Sequence, residues 1–228
     1  MANGKPLFLH EEVMLLALRD EEGTLAIGYT EQVIAGAVVA QLLLDSRISV
    51  DDSRKRLVSV EDKSPTGDPI LDECLEKIAA SKRQGSLQNW VASLAITHKL
   101  SLKVIQQLCE RKILRADQDK VLFIFKRKIF PEINPEPEKL IVERLRAAIF
   151  TEQEDLDPRT IILVSLANWS GILRQTFGSK EVKARQPRIE KITNGELTGK
   201  ATMDVITACQ AAAMIAAVVP AVAATVCS

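Results

Sequence analysis

The chain has 228 residues, 46% hydrophobic and 26% charged, with Lys plus Arg and Asp plus Glu both totalling 30. That length and apolar content suffice for a full hydrophobic core, and zero net charge excludes a surface that coats nucleic acid or membrane as a whole. Electrostatic binding must come from a local patch. Cys74, Cys109, Cys209 and Cys227 lie far apart with no C-x-x-C pair. Neither a disulfide framework nor a structural zinc site is expected, and the thiols read as reduced groups of a cytosolic protein. Cys227 is penultimate and fits no prenylation box.

Residues 1–6 are polar, and Glu11 and Glu12 break the apolar run that follows, so no signal peptide is expected. Leu9, Val13 and Leu16 recur at helical spacing and predict a helix over 7–20, with both glutamates in its first turn, where negative charge suits the dipole. Residues 31–44 are nearly all apolar and predict a deeply packed helix. Ile48, Val50, Leu57, Val58 and Val60 alternate around Asp51-Asp52-Ser53, predicting a short β-hairpin over 47–60. Ser64-Pro65-Thr66-Gly67-Asp68-Pro69 is turn chemistry leading into a helix over 70–80, with Asp68 or Thr66 as its cap. Short helices over 87–94 and 100–112 follow.

A second hairpin is expected next. It rises through Ile113-Leu114-Arg115, turns at Ala116-Asp117-Gln118-Asp119, and returns along 120–125 to end at Lys126-Arg127-Lys128-Ile129-Phe130. A Pro/Glu-rich loop runs to Pro137, and helices over 138–150, 158–177, 181–193 and 201–219 complete the chain. The fold class expected is mainly α. After a polar segment at 1–6, residues 7–228 form a single compact helical domain with a buried apolar C-terminal helix and one or two small β-hairpins, one projecting. Residues 205–226 carry no charge and could span a bilayer on length. Their Ala-rich composition, interrupted by Thr207, Gln210 and Pro220, favours a helix packed on all sides over a tail anchor.

The chain has two histidines and no H-E-x-x-H, G-x-S-x-G, Walker or G-x-G-x-x-G motif. No catalytic residue, metal site or cofactor is expected, and the carboxylate pairs Glu11/Glu12, Glu21/Glu22 and Asp51/Asp52 read as solvated surface. Lys126-Arg127-Lys128-Ile129-Phe130 reads either as a solvated strand end or as a membrane-touching tip. In the second reading the cations supply roughly 3 kcal/mol near an anionic leaflet. Ile129 and Phe130 add about 1.5–3 kcal/mol each if fully buried. Together these give reversible docking.

The run from Leu7 to Gly23, with Glu11-Glu12, Leu15-Leu16 and Asp20-Glu21-Glu22-Gly23, resembles the opening signature of the Golgi phosphoprotein 3 family. Pro65-Thr66-Gly67-Asp68 with Leu71-Asp72-Glu73 resembles the family's P-T-G-D loop and L-D-E helix start, and Gln88-Asn89-Trp90 its Q-N-W. A late helix centred on Leu166-Ala167 and the apolar C-terminal helix also have counterparts there, so the resemblance covers nearly the whole chain. It implies a mainly helical fold, a protruding hairpin that contacts the bilayer, and a basic pocket for phosphatidylinositol 4-phosphate. It also implies a peripheral location on the cytosolic face of membranes, the Golgi in eukaryotes, and an adaptor role toward the cytosolic tails of membrane proteins. This chain departs from the pattern. The segment after Gly23 is shorter and lacks the family's Trp, leaving Tyr29 as the nearest aromatic, and Ala35 stands near an expected Arg. His98 and Ser101 occupy the family's R-x-x-R positions beside Lys99 and Lys103. The resemblance is to a divergent or bacterial-type member.

The leading expectation is a phosphoinositide headgroup held by His98, Lys99, Lys103 and Tyr29, with the 126–130 tip on an anionic phospholipid surface. The alternative is a cytosolic protein–protein adaptor of the same fold without lipid binding. A winged-helix DNA reader over 100–125 offers only Lys103, Arg111 and Lys112 on its helix, too few for phosphate neutralisation. No nucleic-acid partner is expected.

Overall fold

The structure, a computed structural model, describes residues 6–19, 24–25, 30–51, 53–121, 125–196 and 206. α1 (Leu9–Ala17) is followed by β1 (Leu18–Arg19) and β2 (Thr24–Leu25), and then by α2 (Thr30–Leu44). β3 (Ile48–Val50) and β4 (Val58–Val60) lead to α3 (Pro69–Ala79), α4 (Leu87–Thr97) and α5 (Leu100–Glu110). β5 (Asp117–Val121) and β6 (Phe125–Ile129) follow, then α6 (Glu136–Phe150) and α7 (Pro158–Trp169). α8 (Ile172–Phe177), α9 (Ser179–Ala184) and α10 (Gln186–Thr193) complete the described elements. The fold is mainly α, with three two-stranded antiparallel ladders among the described residues.

Local chemistry sets the helix starts. Asp68 accepts from the amides of Ile70 at 3.0 Å and Leu71 at 2.9 Å, with Pro69 opening α3. Asp157 does the same for Thr160 at 3.0 Å ahead of Pro158. Both pair a side-chain acceptor with a residue that needs no amide partner. Gly67 before α3 has φ of +82°, which a glycine adopts at little cost. Gly85 meets a different constraint: a Cβ there would lie 3.0 Å from Trp90 Nε1.

Two predicted helices divide. The expected helix over 158–177 breaks at Gly171, whose φ is +80°, and Ser170 Oγ donates to Leu166 O at 2.7 Å in the last turn. The expected helix over 181–193 breaks before Pro187, which lacks an amide and cannot sit in a helix interior. Residues 18–19, expected to continue α1, pair instead with 24–25. The expected C-terminal helix lies outside the described residues except for Ile206, which is helical and buried. Among the described residues no helix is long and apolar enough to cross a membrane.

α1, α2 and α7 make the centre. All of α1 is buried, as are Val33 through Ala40 of α2 and Thr160 through Ala167 of α7. α2 packs on α1, α3, α4, α5 and α7. Burial of α1 overturns the expectation that Glu11 and Glu12 are solvated: they are 0% and 4% exposed. Glu11 accepts from Arg111 at 2.7 Å, Gln107 at 2.9 Å and the Phe8 amide at 2.9 Å. Glu12 accepts from Arg144 at 2.8 Å and Arg159 at 3.3 Å. Arg159 also reaches Gln41 at 3.1 Å, and Gln107 bridges to Asp68 at 2.6 Å. One buried polar spine therefore ties α1 to α2, α3, α5, α6 and α7. Helical spacing within 7–20 carries no trace of it, because the partners lie about a hundred residues or more along the chain.

Removing one partner of a buried ion pair strands the other. Glu12→Ala is expected to lower the unfolding free energy by about 3 kcal/mol, read from urea denaturation. Asp68 gives a pH signature. Burial pushes its carboxyl up, but His10, the Leu71 amide and Gln107 outweigh that and hold it below the ordinary 3.8. Its contribution is present above that value and lost as pH falls through the lower folded one. Asp68→Asn keeps a competent helix cap while removing the charge, so its stability should decline less steeply than wild type on acidification below about pH 4.

Candidate membrane-contacting site

The hairpin differs from its predicted form. The register pairs Asp117 with Ile129, Gln118 with Lys128, Asp119 with Arg127, Lys120 with Lys126 and Val121 with Phe125. Of the residues expected to turn, Ala116-Asp117-Gln118-Asp119, the last three are thus strand, and residues 122–124 lie outside the described residues. Asp and Gln disfavour strands in isolation; in the ladder Asp119 stands at the register position of Arg127, an opposite-charge pair, and Lys120 at that of Lys126, a like-charge one. Below the strands the two arms continue together: the Arg115 amide donates to Pro131 O at 3.0 Å and the Ile133 amide to Ile113 O at 2.9 Å. Neither β5 nor β6 packs closely on any described helix.

Lys126, Arg127 and Lys128 therefore lie along the returning strand rather than at the far end. Ile129 and Phe130 are at the root of the hairpin. Both are half-buried, and Phe130 packs against the core. They do not form the projecting tip the sequence reading assigned to them. The reason is the register itself: Ile129 pairs with Asp117, the first residue of β5, which sets residues 129 and 130 at the helical body.

The expected headgroup residues are gathered at the corner between α4 and α5. His98 caps the end of α4, and Lys99 opens α5 with φ of +48°. A lysine in this left-handed region is strained by about 1 kcal/mol. His98 Nδ1 lies 2.6 Å from Glu73 Oε1, and Lys103 pairs with the other oxygen of the same carboxylate. Those contacts, Lys103 first, hold the Glu73 carboxyl below its ordinary range against the opposing effect of burial. Ser101, at the second family arginine position, bonds Glu31 through its hydroxyl and its amide. Ala35 is fully buried in α2. Tyr29 lies outside the described residues.

The corner thus brings His98, Lys99 and Lys103 together, as the sequence reading requires, but sets Glu73 and Glu31 among them. Sequence reasoning missed both acids. Glu73 carried a signal, since it belongs to the quoted Leu71-Asp72-Glu73, but nothing local connects it to residues 25 and 30 positions away. Two described grooves adjoin the hairpin root, and the one that holds Arg111 and Arg144 also holds Glu12 and Glu136, with Arg144 bonded to Glu12 and Arg111 to Glu11. The other is lined by Leu102, Ile105, Gln106, Cys109, Ala116, Asp117 and Phe130, with one acid and no cation.

A family model for Golgi phosphoprotein 3 (GPP34) matches residues 9–209. The chain is also similar to "Vacuolar protein sorting-associated protein 74" of Eremothecium gossypii, 26% identical over 216 residues, covering 78% of this chain and 64% of that relative. It therefore spans less than two thirds of that relative's length. The matched span includes the buried spine, the α4–α5 corner and the hairpin, and the chain belongs to the Golgi phosphoprotein 3 family.

Proposed function

We propose that the chain is a peripheral membrane-trafficking adaptor that docks on anionic, phosphoinositide-bearing surfaces through the β5–β6 hairpin and acts by binding rather than catalysis. The observation that carries this is the hairpin: two strands held to each other and hardly to the helices, with Lys126, Arg127 and Lys128 on β6 and the apolar run Leu122-Phe123-Ile124 close by in the sequence. Cations draw such a ribbon to an anionic leaflet, and apolar residues hold it there. The likeness to a Golgi phosphoprotein family and to a vacuolar sorting protein supports a place in trafficking at Golgi-type membranes, and the cytosolic face is the side on which such an adaptor would act. Cytosolic tails of membrane proteins fit as cargo.

A binding role accords with the chemistry of the nucleophile and base candidates. His10 is buried 3.5 Å from Asp68, and His98 is occupied by Glu73. Burial pushes the Cys74 thiol up to about 12, so little thiolate exists at neutral pH.

Recognition of the headgroup rests on charge more than on its shape. A monoester phosphate needs several uncompensated donors, whereas Lys103 and His98 share Glu73 and Ser101 is held by Glu31. Phosphatidylinositol 4-phosphate then binds in proportion to its charge. The same pairing favours a second reading, an adaptor of this fold that binds protein alone.

Vesicle sedimentation separates the two. The chain is expected to pellet with phosphatidylcholine vesicles containing phosphatidylserine or phosphatidylinositol 4-phosphate, equally at matched surface charge, and not with phosphatidylcholine alone. Failure to pellet with any of them leaves the protein-only reading. Lys126→Ala, Arg127→Ala and Lys128→Ala together should weaken vesicle binding about a hundredfold at low salt, from about 1 kcal/mol per cation. Glu73→Gln should strengthen it about fivefold by leaving the Lys103 charge uncompensated.

A further inference from the structure

The groove that holds Arg144 takes no part in vesicle docking. α6 supplies Pro137, Leu140, Ile141 and Arg144 to it, spaced so that all four share one face of the helix. Leu7, which leads into α1, and Ile113, at the start of the rising arm, add further apolar wall. The groove holds about 570 Å³, a size that takes a small ligand or the end of a peptide. Leu140 is 63% exposed, so apolar surface faces water there until something covers it.

Charge is unevenly placed along this groove. Arg144 donates one N–H to Glu12 at 2.8 Å, and its Nε has no acceptor among the described residues. Glu12 also accepts from Arg159, which bonds Gln41 and the Leu7 carbonyl besides. Two guanidinium groups on one carboxylate leave one positive charge over, and Arg144, with its side chain 32% exposed, presents that charge to the groove. Arg111 is balanced by Glu11. Glu136 is exposed at the start of α6, eight residues and so about 12 Å along the helix from Arg144. The groove is therefore positive at one end, acidic at the other and aliphatic between.

We propose that this groove binds the C-terminus of another polypeptide, its terminal carboxylate on Arg144 and its last side chains, aliphatic ones, against Leu140 and Leu7. A chain end carries a carboxylate and an aliphatic side chain on one residue, which suits a cation one helical turn from Leu140. An internal Asp or Glu would instead set its own polar side chain against the apolar wall. A fatty acid reaching from Arg144 would bring its alkyl chain to Glu136, where a basic residue belongs. At about 3.3 Å per residue of extended chain, that residue stands four positions before the last.

The inference is independent of vesicle docking, because its test uses no lipid. A fluorescein-labelled Lys-Ser-Ala-Leu-Val peptide with a free C-terminus is titrated with the full chain by fluorescence anisotropy, beside the same peptide amidated at its C-terminus. The acid is expected to bind and the amide to bind at least tenfold more weakly, as loss of a charged hydrogen bond predicts. Arg144→Lys keeps the charge on Glu12 but loses the planar fork, and should weaken the acid peptide without changing the amide. Leu140→Ser alters an exposed side chain, so thermal unfolding should match wild type while affinity falls about fivefold. It keeps the test decisive if Arg144→Lys fails to fold. Equal binding of acid and amide, or an unchanged affinity of Leu140→Ser, overturns the proposal. Calorimetric binding of octanoate without binding of either peptide assigns the groove to a small carboxylic acid and also overturns it. Each of those failures leaves the hairpin reading intact, since vesicle pelleting by Leu140→Ser is measured separately.

Discussion

Two adjacent carboxylates, Glu11 and Glu12, sit in the first turn of a helix whose every residue is buried. Placing them there is tolerable only if cations arrive from elsewhere, because an uncompensated buried carboxylate costs far more than a domain's net stability can absorb. The cations come from three helices: Arg111 just beyond α5, Arg144 on α6 and Arg159 on α7. An ion pair of this kind adds little net stability over an apolar packing of the same volume. Its consequence is register, since α5, α6 and α7 can surround α1 in only one way that meets both acids. The hairpin inherits that arrangement. Arg111 is bonded to Glu11 two residues before Ile113, where the rising arm begins, so the root of the hairpin is fixed to the centre of the molecule.

Whatever depended on near neighbours could be read in the sequence. Asp68 and Pro69 announce α3, and the alternation of Ile48, Val50, Val58 and Val60 announces the first ladder, which forms with Ile48 opposite Val60. Even the misjudged helix over 181–193 carried its own correction in Pro187. Misreadings arose where distant residues decide. Glu11 and Glu12 are amphipathic surface by every local criterion, and only the arginines beyond residue 110 make them core. The expected turn falls within β5 because Asp117-Gln118-Asp119 carries turn propensity that pairing with 127–129 overrides. Cross-strand partners settle the register, and those appear only once 125–129 lies alongside.

The candidate site illustrates the same limit with a functional consequence. His98, Lys99 and Lys103 are together because they flank one helix start, which spacing could anticipate. That Lys103 and His98 share a carboxylate from α3, and that Ser101 is held by one from α2, depends on how α2 and α3 pack against α5. A count of positive residues on one element therefore overstates the positive potential there. Lys103 remains partly exposed and still acts at a distance, but a phosphate arriving at the corner meets Glu73 and Glu31 as well as the cations.

Membrane docking by such a molecule divides into steps with different physics. A neutral chain has no long-range field to steer it, so in the proposed docking the approach depends on the cations of β6. Attraction falls off within a Debye length and cannot by itself hold a protein at physiological salt. Retention needs apolar area in contact with lipid. Apolar surface at the root of the hairpin lies in the groove bordered by Leu102, Ile105 and Phe130. The rigidity of the frame around it comes from the buried acids: the spine that positions α5 sets both the corner at its start and the hairpin root beyond its end.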